Sequence, residues 1–297
     1  MLRIIADSTC DISKEDARKM GIQIVPISVR FGNEEFLDGV EITHEEFYTR
    51  LAECDELPKT SQPSPDTFMK VFNEAVAAGD DVLGIFISSD LSGTYQSACL
   101  AALDVEEETR KKLYMVDSRS ASIGTALLIR EAVKLRDAGV NVSDIAAACT
   151  EMSKYIKLTA VVGSLKYLKM GGRLSGAAAF AGTMLHITPV VSIEDGKVVV
   201  IGKTRGKKAA EKLMHDKLTK DGLSLTRDFM FGHINCSESL ETFINKSLTY
   251  ISDVNGNVGV SSIGCSVGTH VGPGTYGIAY VEAAESGMNR ESIVKTA

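Results

Sequence analysis

Val82-Leu83-Gly84-Ile85-Phe86-Ile87 runs straight into Ser88-Ser89-Asp90-Leu91-Ser92-Gly93-Thr94, and a helix-period segment follows from Thr94. A short, continuous apolar run bounded by a polar loop reads as a strand buried on both faces. Such a strand needs helices packed over it, so this stretch predicts an α/β layer architecture. The polar loop falls where α/β proteins place ligands, between the carboxyl end of a strand and the start of a helix. Its hydroxyls and free backbone N–H groups suit an anion. Plain capping of the helix by Ser92 accounts for the same residues, and this loop alone does not separate the two.

The same alternation extends in both directions. Upstream, Leu2–Asp7 reads as a first strand, with Ser13 placed to cap the helix after it, and Ile22–Phe31 reads as a second strand. Thr43 with Glu46 three residues on forms a capping box, and Ser64-Pro65 supplies a cap and an N1 proline for a helix reaching about Ala78. Downstream, a strand ends at Val116, and helices are expected around Ser122–Ala138 and Asp144–Tyr155. The second half opens with Thr159–Gly163. Pro189–Ile193 and Val198–Ile201 flank Glu194-Asp195-Gly196 as a hairpin with an Asp-Gly turn. A basic amphipathic helix, Gly206–Leu218, precedes strands at Asp228–Ile234, Val258–Cys265 and Tyr276–Val281, with a helix from Ser237. The expectation is two α/β domains with mostly parallel sheets, residues 1–157 and 158–297, without a low-complexity linker or a short-period repeat.

With 297 residues, 44% hydrophobic and 24% charged, the chain can bury a full core, which excludes intrinsic disorder. A net charge of −7, 6% aromatics and no Trp argue against a nucleic-acid face or a base-stacking platform. The six cysteines approach one another no closer than Cys236 and Cys265, 29 positions apart, so neither a disulfide scaffold nor a thiolate metal site is expected. Asp7 interrupts the N-terminal apolar run where a signal peptide would continue it. Leu174–Ile193 and Val254–Val281 lack Asp, Glu, Lys and Arg, but each holds Pro, His and several small or polar residues, so neither reads as a membrane span. A soluble, cytoplasmic protein is expected.

Three motif matches fail on context. GKVVVIGKT, from Gly196 to Thr204, has one residue too many between its glycines for a phosphate loop, and its middle reads as strand. Gly272-Pro273-Gly274-Thr275-Tyr276-Gly277 matches GxGxxG but precedes a strand, where a dinucleotide site needs a helix. Gly264-Cys265-Ser266-Val267-Gly268 matches the nucleophile elbow, yet His270 follows with no acid between, which disfavours a serine hydrolase. His44, His186, His215, His233 and His270 form no close pair, and structural or surface roles are expected for the first four. No cofactor or metal is expected.

Other polar loops remain. Lys59-Thr60-Ser61-Gln62-Pro63-Ser64-Pro65 combines hydroxyls with a helix start and two stiffening prolines; a capped helix entry explains it as well as a binding loop does. Thr60 and Ser92 gain interest as a pair, since two hydroxyls can orient one carboxylate. Arg173 follows the double glycine of Lys169-Met170-Gly171-Gly172-Arg173-Leu174, and alone it reads as a surface ion-pair former. Thr269-His270-Val271-Gly272-Pro273-Gly274 sets a histidine in what reads as a glycine-rich turn, where backbone can approach a ligand closely. Arg205, beside Gly206-Lys207-Lys208, reads by default as part of a solvated helix start.

Taken together, Asp7-Ser8-Thr9, Lys59–Ser64, Ser89-Asp90-Leu91-Ser92-Gly93-Thr94-Tyr95, Val116-Asp117-Ser118, Gly171-Gly172-Arg173-Leu174-Ser175 and Thr269–Gly274 resemble the DegV family, in family order and across nearly the whole chain. The resemblance implies a two-domain α/β protein holding one long-chain fatty acid in a tunnel between the domains. It further implies service as the fatty-acid-binding subunit of a bacterial fatty acid kinase. A separate kinase subunit would phosphorylate the bound carboxylate with ATP, and the acyl phosphate would enter phospholipid synthesis. Thr60, Ser61, Ser92, Gly93 and Thr94 match the carboxylate site; Arg173, Arg205 and His270 match the headgroup and the kinase-facing surface.

The implied chemistry is physically coherent. A sixteen-carbon tail would gain about 12 kcal/mol by burial, against association costs of about 4–15 kcal/mol. The small residues between Ser175 and Thr183 can leave room for the chain or serve close helix packing; both readings stand. Phosphoryl transfer to a carboxylate is mainly positioning and charge stabilisation, so Arg173 or Arg205 is expected to pair with the new phosphate. The expected partners are a long-chain fatty acid, a kinase subunit and, transiently, a membrane surface, with no nucleic acid. The other readings are a stand-alone serine hydrolase using Ser266 or Ser92, a phospho-acceptor using His270, and a DNA-associated regulator, against which the net charge of −7 already counts.

Overall fold

The computed structural model describes residues 1–54, 56–175, 187–224, 226–251 and 256–283. The first sheet contains β1 (Leu2–Asp7), β2 (Ile22–Val25), β6 (Asp81–Phe86) and β7 (Tyr114–Asp117) in the order β2-β1-β6-β7, every pairing parallel. Its central strands are buried on both faces, as the apolar runs around Ile4 and Leu83 require. Helices α1 (Lys14–Met20), α3 (Pro65–Ala77), α4 (Thr94–Thr109), α5 (Ile123–Asp137) and α6 (Val142–Met152) flank it. The caps fall as expected: Ser13 and Ser64 accept the backbone N–H groups of Asp16 and Thr67. Thr43 and Glu46 close a reciprocal box on α2 (His44–Glu53).

Ile22–Phe31 is not one strand. Pro26 lacks an N–H for the ladder, and the chain leaves the first sheet there. Ser28–Phe31 becomes β3 of a separate antiparallel sheet, ordered β4-β3-β5, with β4 (Glu34–Leu37) and β5 (Lys59–Ser61). This small sheet carries Thr60 and Ser61 towards the second half of the chain.

The second large sheet contains β8 (Ile156–Val161), β9 (Thr188–Glu194), β10 (Lys197–Thr204), β11 (Phe229–His233), β12 (Val258–Ser262) and β13 (Tyr276–Val281), ordered β10-β9-β8-β13-β11-β12. The α/β class with two large sheets holds, but the expectation of mostly parallel strands holds only for the first. Here β11 and β12 are parallel and the other pairings are antiparallel. Local chemistry explains part of this. Asp195 and Gly196 adopt φ values of 48° and 83°, the primed turn that folds β10 back along β9.

α8 (Lys207–Asp221) and α9 (Ser237–Ser247) cover one face of this sheet. α5 covers the other while also packing on β1 and β6, so it lies beneath both large sheets. Nearly every residue of α5 is buried, Glu131 included; that carboxylate pairs with Arg227, and Lys134 pairs with Asp228 at 2.5 Å. All six cysteines are free thiols. No helix among the described residues is long and apolar enough to cross a membrane. The small-residue run between Ser175 and Thr183 lies almost wholly in 176–186, outside the described residues, as does His186.

Candidate ligand site

A cavity of about 380 Å3 opens between the two large sheets, within the range of small-molecule sites. Strand alternation builds one wall. Leu158 and Ala160 of β8 with Val191 and Ile193 of β9 point into the cavity, so the intervening Thr159 and Ser192 point to the other face of the sheet. Ile87 and Leu91 from the β6–α4 loop and Ile123 at the start of α5 face them. The interior is therefore apolar, and its polar groups gather in two places.

The first gathering is a rim drawn from four distant segments. Thr60 and Ser61 come from β5, Ser92 from the β6–α4 loop, and Arg173 from the segment after α7 (Lys166–Met170). His270 comes from α10 (Cys265–Val271). Thr60 Oγ1 and His270 Nε2 are 2.9 Å apart. His270 was expected in a glycine-rich turn; it sits instead in the last turn of α10, which ends at Gly272 with φ 75°. The helix holds the ring in one place, whereas a turn would leave it to local backbone conformation. Burial, aided by the positive charge of Arg173, pushes the imidazole pKa down to about 4, so the ring is neutral at pH 7. Its Nδ1 is buried without a hydrogen-bond partner among the described residues.

Arg173 is anchored by carbonyls, its Nε donating to Leu91 O at 3.1 Å and Nη1 to Gly171 O at 2.5 Å. No carboxylate neutralises it in these contacts, so its charge is available at the rim. Ser92 Oγ lies 2.9 Å from Thr94 Oγ1 and accepts the Thr94 N–H at 3.3 Å. Gly93 and the buried Thr94 stand behind Ser92 and do not line the cavity. At Gly93 a side-chain carbon would lie 2.1 Å from Gln62 Oε1. The glycine thus lets Gln62 cross over and donate to Ser97 Oγ at 2.9 Å, joining the Thr60 segment to α4. Gln62 also lines the cavity and was not among the expected site residues; its only signal was its place beside Thr60 and Ser61.

Arg205 does not join the rim. It is exposed, just beyond the end of β10, and carries no ion pair or hydrogen bond among the described residues. Leu174 bridges to Val198, seven positions earlier, which puts Arg205 roughly 20 Å along the strand from that point.

The second polar gathering lies behind the part of the wall lined by Thr9, Ser122 and Ser266. Three buried carboxylates meet the N-terminus of α10 and the loops beside it. Asp11 accepts the Gly264 N–H at 2.9 Å and the Ser122 hydroxyl. Asp38 accepts from Cys265 N at 3.2 Å, Ser266 N at 3.0 Å and Ser8 Oγ at 3.2 Å. Asp7 accepts from Thr9 and from Ile87 N at 2.9 Å. Burial raises the pKa of Asp7 and, more strongly, of Asp11. Asp38, His44 and Cys265 bring one potential metal-ligand atom each within 4.8 Å of one another. Asp38 is already satisfied by the helix N–H groups, and burial together with Asp38 drives the Cys265 thiol far above its ordinary pKa. The cluster therefore reads as a helix cap.

A hydrolase arrangement at Ser266 is not assembled. The Ser266 hydroxyl has no hydrogen-bond partner among the described residues, and His270 Nε2 is turned to Thr60. A nucleophile bonded to an oriented base is what hydrolysis would need.

The chain matches the family model described as "Uncharacterised protein, DegV family" over residues 1–283. It is 34% identical over 290 residues to a DegV domain-containing protein of Clostridium perfringens, covering 95% of this chain and 98% of that one. Among solved structures, a DegV family protein of Thermus thermophilus, described by its fatty acid binding, superposes with a TM-score of 0.86 at 30% identity over 95% of this chain and all of that one. A stearic-acid-binding protein of Eubacterium ventriosum gives 0.83 at 29% identity, covering 95% and 98%. DegV of Bacillus subtilis, described as a fatty acid binding protein, gives 0.81 at 28% identity, covering 95% and 99%. Matched over almost its whole length by both the family model and its relatives, the chain belongs to the DegV family.

Proposed function

We propose that this protein binds one long-chain fatty acid in the cavity between its sheets and presents the carboxylate at the rim. There a separate ATP-dependent kinase subunit phosphorylates it to an acyl phosphate. The observation that carries the reading is an apolar cavity of about 380 Å3 whose rim gathers Thr60, Ser61, Ser92, Arg173 and His270. The fatty-acid-binding relatives of the same fold support it.

In this reading residues 1–157 supply the carboxylate loops and residues 158–297 cover the acyl chain. Burial of the tail drives affinity, while hydroxyl donors set orientation. Thr60 and Ser92 donate to the carboxylate. Neutral His270 shares a hydrogen bond with Thr60 without adding charge, and Arg173 supplies the positive charge that a carboxylate and then a phosphate require. Arg205, exposed and away from the rim, belongs to the kinase-facing surface. The protein works in the bacterial cytoplasm, where ATP and the kinase are at hand. The chain contributes positioning, and the kinase contributes the nucleotide site.

Denaturing the purified protein and extracting it for mass spectrometry tests the first half. One acyl chain per protein, or stoichiometric uptake of added fatty acid, is expected; the absence of both would overturn the reading. Incubation with ATP and a DegV-associated fatty acid kinase should then yield acyl phosphate only when this protein is present.

A further inference from the structure

The cavity wall on α10 carries a polar group that carboxylate binding leaves unused. Ser266 lies in the first turn of the helix, lines the cavity and is 2% exposed. Its hydroxyl is buried with no hydrogen-bond partner among the described residues. A buried hydroxyl left unpaired costs free energy, and an apolar methylene against it does nothing to recover that cost.

Two further hydroxyls share this part of the wall. Ser122 is held at φ 53° and ψ −131°, a backbone region that a residue with a Cβ seldom occupies. It donates to Asp11, whose other oxygen holds Gly264 at the entrance of α10. Thr9 donates to Asp7. Having committed their protons, Ser122 and Thr9 offer lone pairs only, while Ser266 keeps both donor and acceptor capacity. The three line one cavity, and Asp11 ties Ser122 to Gly264, two residues before Ser266, so a ligand hydroxyl beside Ser266 would accept from it and meet lone pairs on the same wall. Along α10 this spot is one turn, about 6 Å, from His270 at the rim, so it faces a point a few carbons from the carboxylate.

We propose that the preferred ligand is a hydroxylated long-chain fatty acid, with its hydroxyl a few carbons from the carboxylate and Ser266 as that hydroxyl's partner. The proposal rests on the fatty-acid reading above and names the substrate class of the same site.

Calorimetric titration of the delipidated full-length protein with stearate, and with hydroxystearates substituted at successive positions, tests it. One positional isomer near the carboxylate should bind roughly tenfold more tightly than stearate, the worth of one good buried hydrogen bond. That ratio should fall to about one in Ser266→Ala, by loss of the same bond. Stearate binding with no hydroxystearate preferred over it, or a preference that survives Ser266→Ala, overturns the hydroxyl assignment while leaving fatty acid binding intact. Binding of neither class overturns both.

Discussion

Thr60 Oγ1 and His270 Nε2 lie 2.9 Å apart although 210 positions separate them in the chain. One comes from a short antiparallel sheet and the other from a helix that follows β12 in the second half. Their meeting closes the rim of the cavity, and it couples a hydroxyl that can donate to a carboxylate with an imidazole that stays uncharged.

Removing either rim hydroxyl should weaken binding without unfolding the protein. Thr60→Val and Ser92→Ala each delete one donor at a partly exposed position, a loss of about 0.5–1.5 kcal/mol, or up to roughly tenfold in affinity. Calorimetry with stearate measures the loss, and unchanged far-ultraviolet circular dichroism shows that the fold is kept.

The depressed pKa of His270 has a consequence for stability. In the unfolded chain the ring binds a proton below about 6.5, whereas in the fold it does so only below about 4. Between these values the unfolded state holds more protons, so this contribution is present above pH 6.5 and is lost as pH falls towards 4. His270→Gln should therefore flatten the decline of Tm across that window relative to wild type. Parallel Tm profiles for the two proteins would contradict it.

Gly277 of β13 pairs with Ala160 of the neighbouring β8, and an added Cβ would come within 2.3 Å of the Thr159 carbonyl oxygen. Backbone cannot yield as a side-chain tip can. Gly277→Ala should therefore cost about 1–3 kcal/mol in chemical denaturation, the usual range for overpacking a tight interior.

Filling the cavity should change chain-length preference more than headgroup affinity. Val191 projects from β9 into the cavity as part of its apolar wall, paired with Ala160 of β8. Val191→Phe is expected to weaken stearate binding by at least tenfold, through lost methylene burial, while sparing a chain several carbons shorter. Competition between labelled acids of two lengths reads this directly.

The elements legible in the sequence were those whose signals are local. The capping box at Thr43, the caps at Ser13 and Ser64, the buried strand before Ser88 and the Asp195-Gly196 turn all appear within two or three residues of their expected places. The order of the second sheet was not legible, because which strand β13 inserts between is set by packing over more than a hundred residues. Pro26 was visible but was read as lying inside a strand, where its missing N–H should have marked a break. At the site, the hydroxyls and His270 were identified through family resemblance. The role of Gln62 needed the contact with Gly93, which no spacing discloses. Arg205 was assigned to the headgroup and kinase-facing surface through family resemblance, and the length of β10 carries it away from the rim.

The position of α5 governs how a guest can enter. Domains that swing apart do so across seams that few contacts bridge. Here one fifteen-residue rod is common footing for both large sheets, pinned to the second by Glu131–Arg227 and Lys134–Asp228. Prising the halves open would tear that footing out of two cores together. The ground beneath the cavity is thus tied to both large sheets at once, so a guest would be taken in without parting them.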